Sequence, residues 1–83
     1  MSKWQKLLDR LRDMDASLRY EELNRLLEYY GYVYYETRGG SSHVTFRKPG
    51  KEIITIPRHN PINKAYIRLV RDAVEEAIAE EQK

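Results

Sequence analysis

Residues 43–57 read HVTFRKPGKEIITIP and contain the clearest structural pattern in the chain. Apolar and polar residues alternate over 43–48, which predicts a strand with one buried face. Residues 49–51 are Pro, Gly and Lys and predict a tight turn. Residues 52–56 are rich in β-branched side chains and predict a further strand, which Pro57 closes. Because so short a turn joins only antiparallel neighbours, the stretch predicts a β-hairpin.

Upstream of this hairpin the pattern predicts one more strand and two helices. Residues 32–38 are aromatic and β-branched, and a Gly-Gly-Ser-Ser turn at 39–42 joins them to the hairpin. An amphipathic helix over about 2–14 is predicted by Trp4, Leu7, Leu8 and Leu11, which are spaced at i, i+3, i+4 and i+7. The same spacing predicts a second helix from about 18–20, which Gly31 ends in the left-handed conformation.

Downstream of the hairpin the sequence predicts a last helix. Asn60 and Pro61 form a typical helix start, with Asn as cap and Pro in the first turn, and Asn63 is a second candidate cap. The acidic end, residues 76–83, is expected to fray. The expected buried stripe consists of Ile62, Tyr66, Leu69, Val70, Ala73 and Ala77.

The predicted order α-α-β-β-β-α indicates an α+β fold, with a three-stranded antiparallel sheet packed on helices. The chain of 83 residues is one domain. We divide it into an N-terminal helical extension (1–17), a core (18–75) and the acidic C-terminus (76–83). Without the first helix, the order α-β-β-β-α is that of a double-stranded-RNA-binding domain.

Composition excludes several classes of function. The chain has no cysteine and only two histidines, so it offers no thiolate zinc site and no paired-histidine metal motif. It has no Gly-rich nucleotide-binding loop of the P-loop type. The N-terminal segment interleaves charges with apolar residues, unlike a signal peptide or membrane span. We therefore expect a cytoplasmic protein with no metal or other cofactor and no membrane association.

The charge is concentrated in the middle of the chain. Residues 38–68 hold seven basic side chains and one acidic side chain, a net charge of +6, although the whole chain carries only +2. This asymmetry is typical of a protein that binds a polyanion, and a solvated charged surface is the alternative.

His43 is the candidate catalytic residue. The alternation places Val44 and Phe46 on one face of their strand, and His43, Thr45 and Arg47 on the other. A solvent-facing histidine beside a cation can move protons near neutral pH. RNA cleavage needs little more, since the 2′-hydroxyl supplies the nucleophile. The alternative is an ordinary exposed histidine on a strand.

Further residues are candidates for RNA binding. A Gly-Ser turn can cradle phosphate through backbone N–H groups, although it also occurs in plain hairpins. His59 could contact phosphate or assist His43, or hold its loop. The basic side chains could contact phosphates or keep the surface soluble. The full set is Gly40, Ser41, Ser42, Arg47, Lys48, Arg58, His59, Lys64 and Arg68.

Five tyrosines cluster where the second helix meets the first strand. They are Tyr29, Tyr30, Tyr32, Tyr34 and Tyr35. Because the cluster lies mostly outside the basic segment along the chain, we expect it to pack in the core and sheet, with one exposed ring open to a protein partner.

Residues 40–49, GSSHVTFRKP, resemble the Gly-Ser-His signature of the HicA toxins. There a Gly-Ser turn precedes a histidine, with an aromatic residue three positions later and a proline closing the strand. The resemblance continues through 55–59 and 61–64, and upstream over 23–32, and covers about 18–75. Two features depart from the family pattern: two serines precede His43 where many members have one, and the first helix is an extension.

The resemblance implies a fold of the double-stranded-RNA-binding type and endonucleolytic cleavage of messenger RNA. It places the family's catalytic histidine at His43. It also implies a HicB antitoxin that covers the active face, and we expect the free toxin to be a monomer. Two other classes stay open: a non-catalytic RNA- or DNA-binding module, and an interaction domain that has lost activity.

Overall fold

The computed structural model describes residues 3–36 and 42–82, and the predicted order of elements is confirmed. The ends of the chain, the end of the predicted first strand at 37–38 and turn residues 39–41 lie outside the described residues. The elements are α1 (Lys3–Arg12), α2 (Tyr20–Tyr29), β1 (Val33–Glu36), β2 (His43–Arg47), β3 (Ile54–Pro57) and α3 (Lys64–Glu81).

The three strands form one antiparallel sheet in the order β1-β2-β3. Tyr34 lies opposite Phe46, and Val44 lies opposite Ile56. The turn between β2 and β3 is closed by the Lys51 N–H, which donates to the Lys48 carbonyl at 3.0 Å. The α+β fold with an antiparallel sheet packed on helices is therefore confirmed.

One face of the sheet packs on the helices and forms the core. Val44, Phe46 and Ile56 are fully buried, as the predicted alternation requires. They belong to one cluster with leucines of α2 and with Ile67 and Val70 of α3. Gly31 ends α2 with φ +95°, in the left-handed conformation that was expected.

The helix α1 is part of the same core. Its residues Leu7, Leu8 and Leu11 are buried in the cluster that holds the sheet. Two ion pairs tie it to the other helices, Arg10 to Glu22 at 2.7 Å and Arg12 to Glu75 at 2.9 Å. The N-terminal extension therefore completes the hydrophobic core.

The predicted start of the last helix at Asn60 and Pro61 is wrong. The helix α3 begins at Lys64, and the second candidate, Asn63, is its cap: the Asn63 side chain accepts a hydrogen bond from the Ala65 N–H at 2.8 Å. The Asn60–Pro61 peptide is cis and precedes the helix. Ile62 is buried, as expected, but also lies ahead of the helix.

One further expectation about α3 needs correction, because Leu69 is 48% exposed and not part of the buried stripe. At the acidic end, which the sequence predicts to fray, the structure is helical through Glu81. The physical reason is that Ala77 is buried and Lys51, from the β2–β3 turn, pairs with Glu76 and with Glu80, the latter at 2.7 Å.

Candidate functional site

His43 is the first residue of β2 and its side chain is exposed. Its neighbours on the alternating pattern, Val44 and Phe46, are fully buried, so the predicted orientation of His43 away from the core is confirmed. The Ser42 hydroxyl oxygen lies 3.4 Å from His43 Nδ1. His43 therefore belongs to the surface, where its imidazole can meet a ligand.

A surface pocket of about 440 Å³ brings the two histidines together. His43 reaches it from β2, and His59 reaches it from the segment between β3 and α3. The two histidines lie far apart in the sequence, which did not indicate that they share a pocket. The lining residues are His43, Pro57, His59, Pro61, Ile62, Asn63 and Tyr66.

Hydrogen bonds hold the walls of this histidine pocket. The Arg58 backbone N–H donates to the Ser42 carbonyl at 2.6 Å, next to both histidines in sequence. Asn60 follows His59, and its side-chain oxygen accepts a hydrogen bond from the Tyr20 backbone N–H at the start of α2. Asn63 caps α3, so the N-terminus of that helix forms one wall. A helix N-terminus carries a partial positive charge that favours an anion.

The Arg58 side chain is engaged by a carboxylate. Its guanidinium donates to Glu36 at 2.8 Å and to the Tyr34 hydroxyl at 3.1 Å. The Tyr34 hydroxyl also donates to Glu36, and these two donors hold the pKa of that carboxyl below its usual value. The Glu36 carboxylate in turn raises the Arg58 pKa. A phosphate at Arg58 would have to share the guanidinium with Glu36.

Arg47 shares the exposed face of β2 with His43 but does not lie beside it. They lie four positions apart on an extended strand, which is about 13 Å at the usual rise per residue. Arg47 lies opposite Val33 at the other end of β2. The expectation that Arg47 lies next to His43 is thus wrong. Alternation along the strand predicts that the two side chains share a face, but it does not predict the distance between them. Lys48 is also at that end, with Nζ 5.5 Å from the Tyr32 ring centroid.

Lys64 and Arg68 are exposed and lie one turn apart on α3. Lys64 is the first residue of the helix and follows Asn63, which lines the histidine pocket. Of the predicted Gly-Ser turn, Ser42 is described and exposed, whereas Gly40 and Ser41 lie outside the described residues. Tyr66 also lines the histidine pocket, although its helical spacing predicts only a place in the buried stripe.

Within residues 3–36 and 42–82, no group of three or more His, Cys, Asp or Glu side chains is placed to hold a metal ion.

None of the helices in the described part of the chain is both long enough and apolar enough to cross a membrane.

The family model described as the HicA toxin of bacterial toxin-antitoxin matches residues 20–75. The match begins with the first residue of α2 and ends within α3, so it includes the sheet and the histidine pocket and omits α1. Comparisons with curated proteins and with solved structures found no match.

Proposed function

Because the chain belongs to the HicA toxin family, we propose that it is an endoribonuclease that cleaves messenger RNA with His43 as general base. The observation that carries the proposal is the exposed His43 at a pocket that His59 also lines. Histidine is the side chain best suited to proton transfer near neutral pH.

The proposed reaction is a transesterification within the RNA. His43 takes the proton of a ribose 2′-hydroxyl, and the 2′-oxygen forms a bond to the adjacent phosphorus. The bond from phosphorus to the 5′-oxygen breaks, and the leaving 5′-oxygen takes a proton that His59 donates from the same pocket. The products are a 2′,3′-cyclic phosphate and a free 5′-hydroxyl. Because RNA supplies its own nucleophile, we propose that cleavage needs no metal ion.

Positive charge around the histidine pocket supports binding of the scissile phosphate. The N-terminus of α3 forms one wall, and Lys64 extends its positive end. Arg68 lies one turn further along the same helix. Charge of this kind stabilises the negative charge that grows on phosphate in the transition state. Ser42, 3.4 Å from the His43 ring, is a further candidate phosphate contact.

We also propose that a HicB-like antitoxin covers the face that carries His43, and that the free toxin is a monomer. The family is that of a toxin of bacterial toxin–antitoxin systems, which supports an antitoxin as partner. A tight inhibitor can act by occluding a preformed site without reshaping it. The open histidine pocket is suited to this mode of inhibition.

The decisive experiment incubates the purified full chain with a mixed RNA pool, with and without a chelator. We expect fragments that carry 2′,3′-cyclic phosphate ends in both conditions, and cleavage slowed by about 10²- to 10⁴-fold with the His43→Ala variant. Binding without cleavage would indicate a non-catalytic RNA-binding module. Activity that a chelator abolishes and magnesium restores would contradict the metal-free mechanism.

A further inference from the structure

A second pocket lies at the end of the sheet opposite His43. Its aromatic residue is Tyr35, whose side chain is 50% exposed. The Arg47 guanidinium carbon lies 5.4 Å from the centroid of the Tyr35 ring. Val33 and Ile53, which are 51% and 54% exposed, supply apolar lining. The pocket has a volume of about 390 Å³, and Lys48 also lines it.

This second pocket and His43 share one continuous face of the sheet. Tyr35 lies opposite Thr45, and Thr45 lies two residues after His43 on β2. Because side chains alternate, His43, Thr45 and Arg47 all project from the face that is not packed on the helices. A strand that leaves the histidine pocket along this face therefore passes Tyr35 before it reaches Arg47.

We propose that the Tyr35 pocket is a nucleobase subsite for single-stranded RNA, which rests on the proposed function of His43. A base near the scissile phosphate stacks on Tyr35, and Arg47 and Lys48 contact the backbone beside that base. Stacking on an aromatic ring needs an unpaired base, since the bases of a duplex are already stacked on one another. The substrate class is therefore single-stranded rather than double-stranded RNA.

The charge of the pocket favours RNA over a protein partner as its occupant. Three of the described residues that line it are basic and none is acidic. One of the three, Lys51, is neutralised by Glu76 and Glu80, which leaves Arg47 and Lys48 to meet an anion. Exposed aromatic rings combined with such cations are the usual composition of single-strand binding surfaces.

The test measures binding by fluorescence anisotropy, with the full chain carrying His43→Ala so that the RNA stays intact. The probes are a labelled RNA oligonucleotide of mixed sequence and the same strand annealed to its complement. We expect Tyr35→Ala to weaken binding of the single strand by about 5- to 150-fold, the usual effect of losing one stacked base. Tyr35→Phe, which keeps the ring, should rescue it.

The matched control is Tyr29→Ala, because Tyr29 is an exposed tyrosine, at 66%, on α2 and away from the Tyr35 pocket. We expect no change in RNA affinity. A second measurement needs no variant at Tyr35: abasic nucleotides are placed one at a time along the single strand. An abasic nucleotide at one position of the strand should weaken binding more than at the others. If the abasic nucleotide has the same effect on affinity at every position, the inference is overturned.

The outcomes separate the two proposals. If the wild-type chain cleaves RNA but Tyr35→Ala binds the single strand normally, the subsite is wrong and the ribonuclease function stands. An equal loss of single-strand and duplex binding would overturn the stacking argument. If Tyr35→Ala binds RNA normally but escapes inhibition by the antitoxin, the pocket is a protein interface. If the wild-type chain neither binds nor cleaves RNA, both proposals fail.

Discussion

The side-chain oxygen of Asn60 accepts a hydrogen bond from the backbone N–H of Tyr20 at 2.8 Å, across 40 residues of sequence. Tyr20 is the first residue of α2, where backbone N–H groups have no partner within the helix. Asn60 lies between His59 and Pro61, which both line the histidine pocket. The bond thus anchors one wall of the pocket to the start of a core helix.

We predict that Asn60→Ala lowers the free energy of unfolding by about 1 kcal/mol, the usual cost of losing a helix-capping side chain. Urea denaturation measures this change. Asn60→Asp keeps the acceptor oxygen, but it replaces the Nδ2 group that donates to the Glu21 carboxylate at 3.3 Å with a second negative charge, so it should recover only part of the stability. RNA cleavage should fall more with Asn60→Ala than with Asn60→Asp, since the His59 segment loses its anchor. Equal stability of all three proteins would show that the bond contributes nothing.

The catalytic assignment predicts that His43→Ala lowers the cleavage rate by about 10²- to 10⁴-fold, the usual contribution of a general base. The side chain is exposed, so the free energy of unfolding should change by no more than about 0.5 kcal/mol. Single-turnover cleavage and urea denaturation give the two quantities. RNA binding should persist, because the basic side chains remain.

The matched control is His59→Ala in the same pocket. We expect a smaller loss of cleavage, since water can protonate the leaving oxygen in place of His59. Wild-type cleavage by His43→Ala would remove the catalytic assignment and leave the family membership without activity. Unfolding of His43→Ala would make His43 a structural residue.

Charge reversal on α3 tests the proposed role of its cations in binding phosphate. The double variant Lys64→Glu, Arg68→Glu should weaken RNA binding at all sequences. It should also reduce the slope of log affinity against log salt by about 1.4, since each phosphate that the protein neutralises on a single strand accounts for about 0.7. The control reverses Lys3 and Lys6 on α1, which are equally exposed. An unchanged slope in the α3 variant would mean that Lys64 and Arg68 only keep the surface soluble and do not contact phosphate.

The buried position of Leu11 predicts that α1 is needed for stability although the family match omits it. Leu11 is fully buried in the core cluster. Leu11→Ala should lower the free energy of unfolding by about 2–5 kcal/mol, as for other large-to-small core substitutions. Asp9→Ala, on the exposed side of α1, is the control and should stay within about 0.5 kcal/mol. Similar urea midpoints for Leu11→Ala and Asp9→Ala would show that α1 contributes little to the stability of the core.

The turn after α1 predicts a dependence of stability on pH. Hydrogen bonds from the Ser17 hydroxyl and backbone N–H, and then from Arg10, lower the pKa of Asp15 to about 2. A carboxyl whose pKa is depressed on folding stabilises the protein above its unfolded pKa, and that stabilisation is lost as pH falls through the folded value.

Thermal unfolding of wild type and Asp15→Ala measures this effect. The difference in melting temperature between wild type and Asp15→Ala should be largest at pH 6 and above, and it should shrink between about pH 4 and pH 2. Asp13→Ala is the control in the same segment. A difference that does not vary with pH would mean that the ionised carboxylate is not the stabilising species.

Local patterns in the sequence predicted most of the fold. The exposed orientation of His43 followed from the alternation around Val44 and Phe46, because side chains along a strand point to opposite faces. The end of α2 at Gly31 followed from its tolerance of positive φ. The start of α3 was mispredicted because Asn60-Pro61 and Asn63 are both good starts locally, and only packing decides between them.

The site was predicted in part. His43 and its solvent-facing position came from the strand pattern, whereas the arrangement of the cations did not. Arg58 was expected to be available for phosphate, but the sheet places its side chain against Glu36. Arg47 was expected beside His43 and lies at the far end of β2. Charge along the chain predicts a basic region, but it does not say which charges are paired.

Local patterns were enough to predict the order of the elements, the buried faces of α1, α2 and β2, and the exposed histidine, since these follow from interactions between residues close in the chain. Which distant residues meet depends on the tertiary structure. Antiparallel pairing brings Tyr35 against Arg47, so an aromatic cluster that lies outside the basic segment in sequence borders it in space. The segment between β3 and α3 lies against the start of α2, which brings Asn60 to Tyr20. Such contacts depend on strand register and helix packing, which local periodicity does not specify.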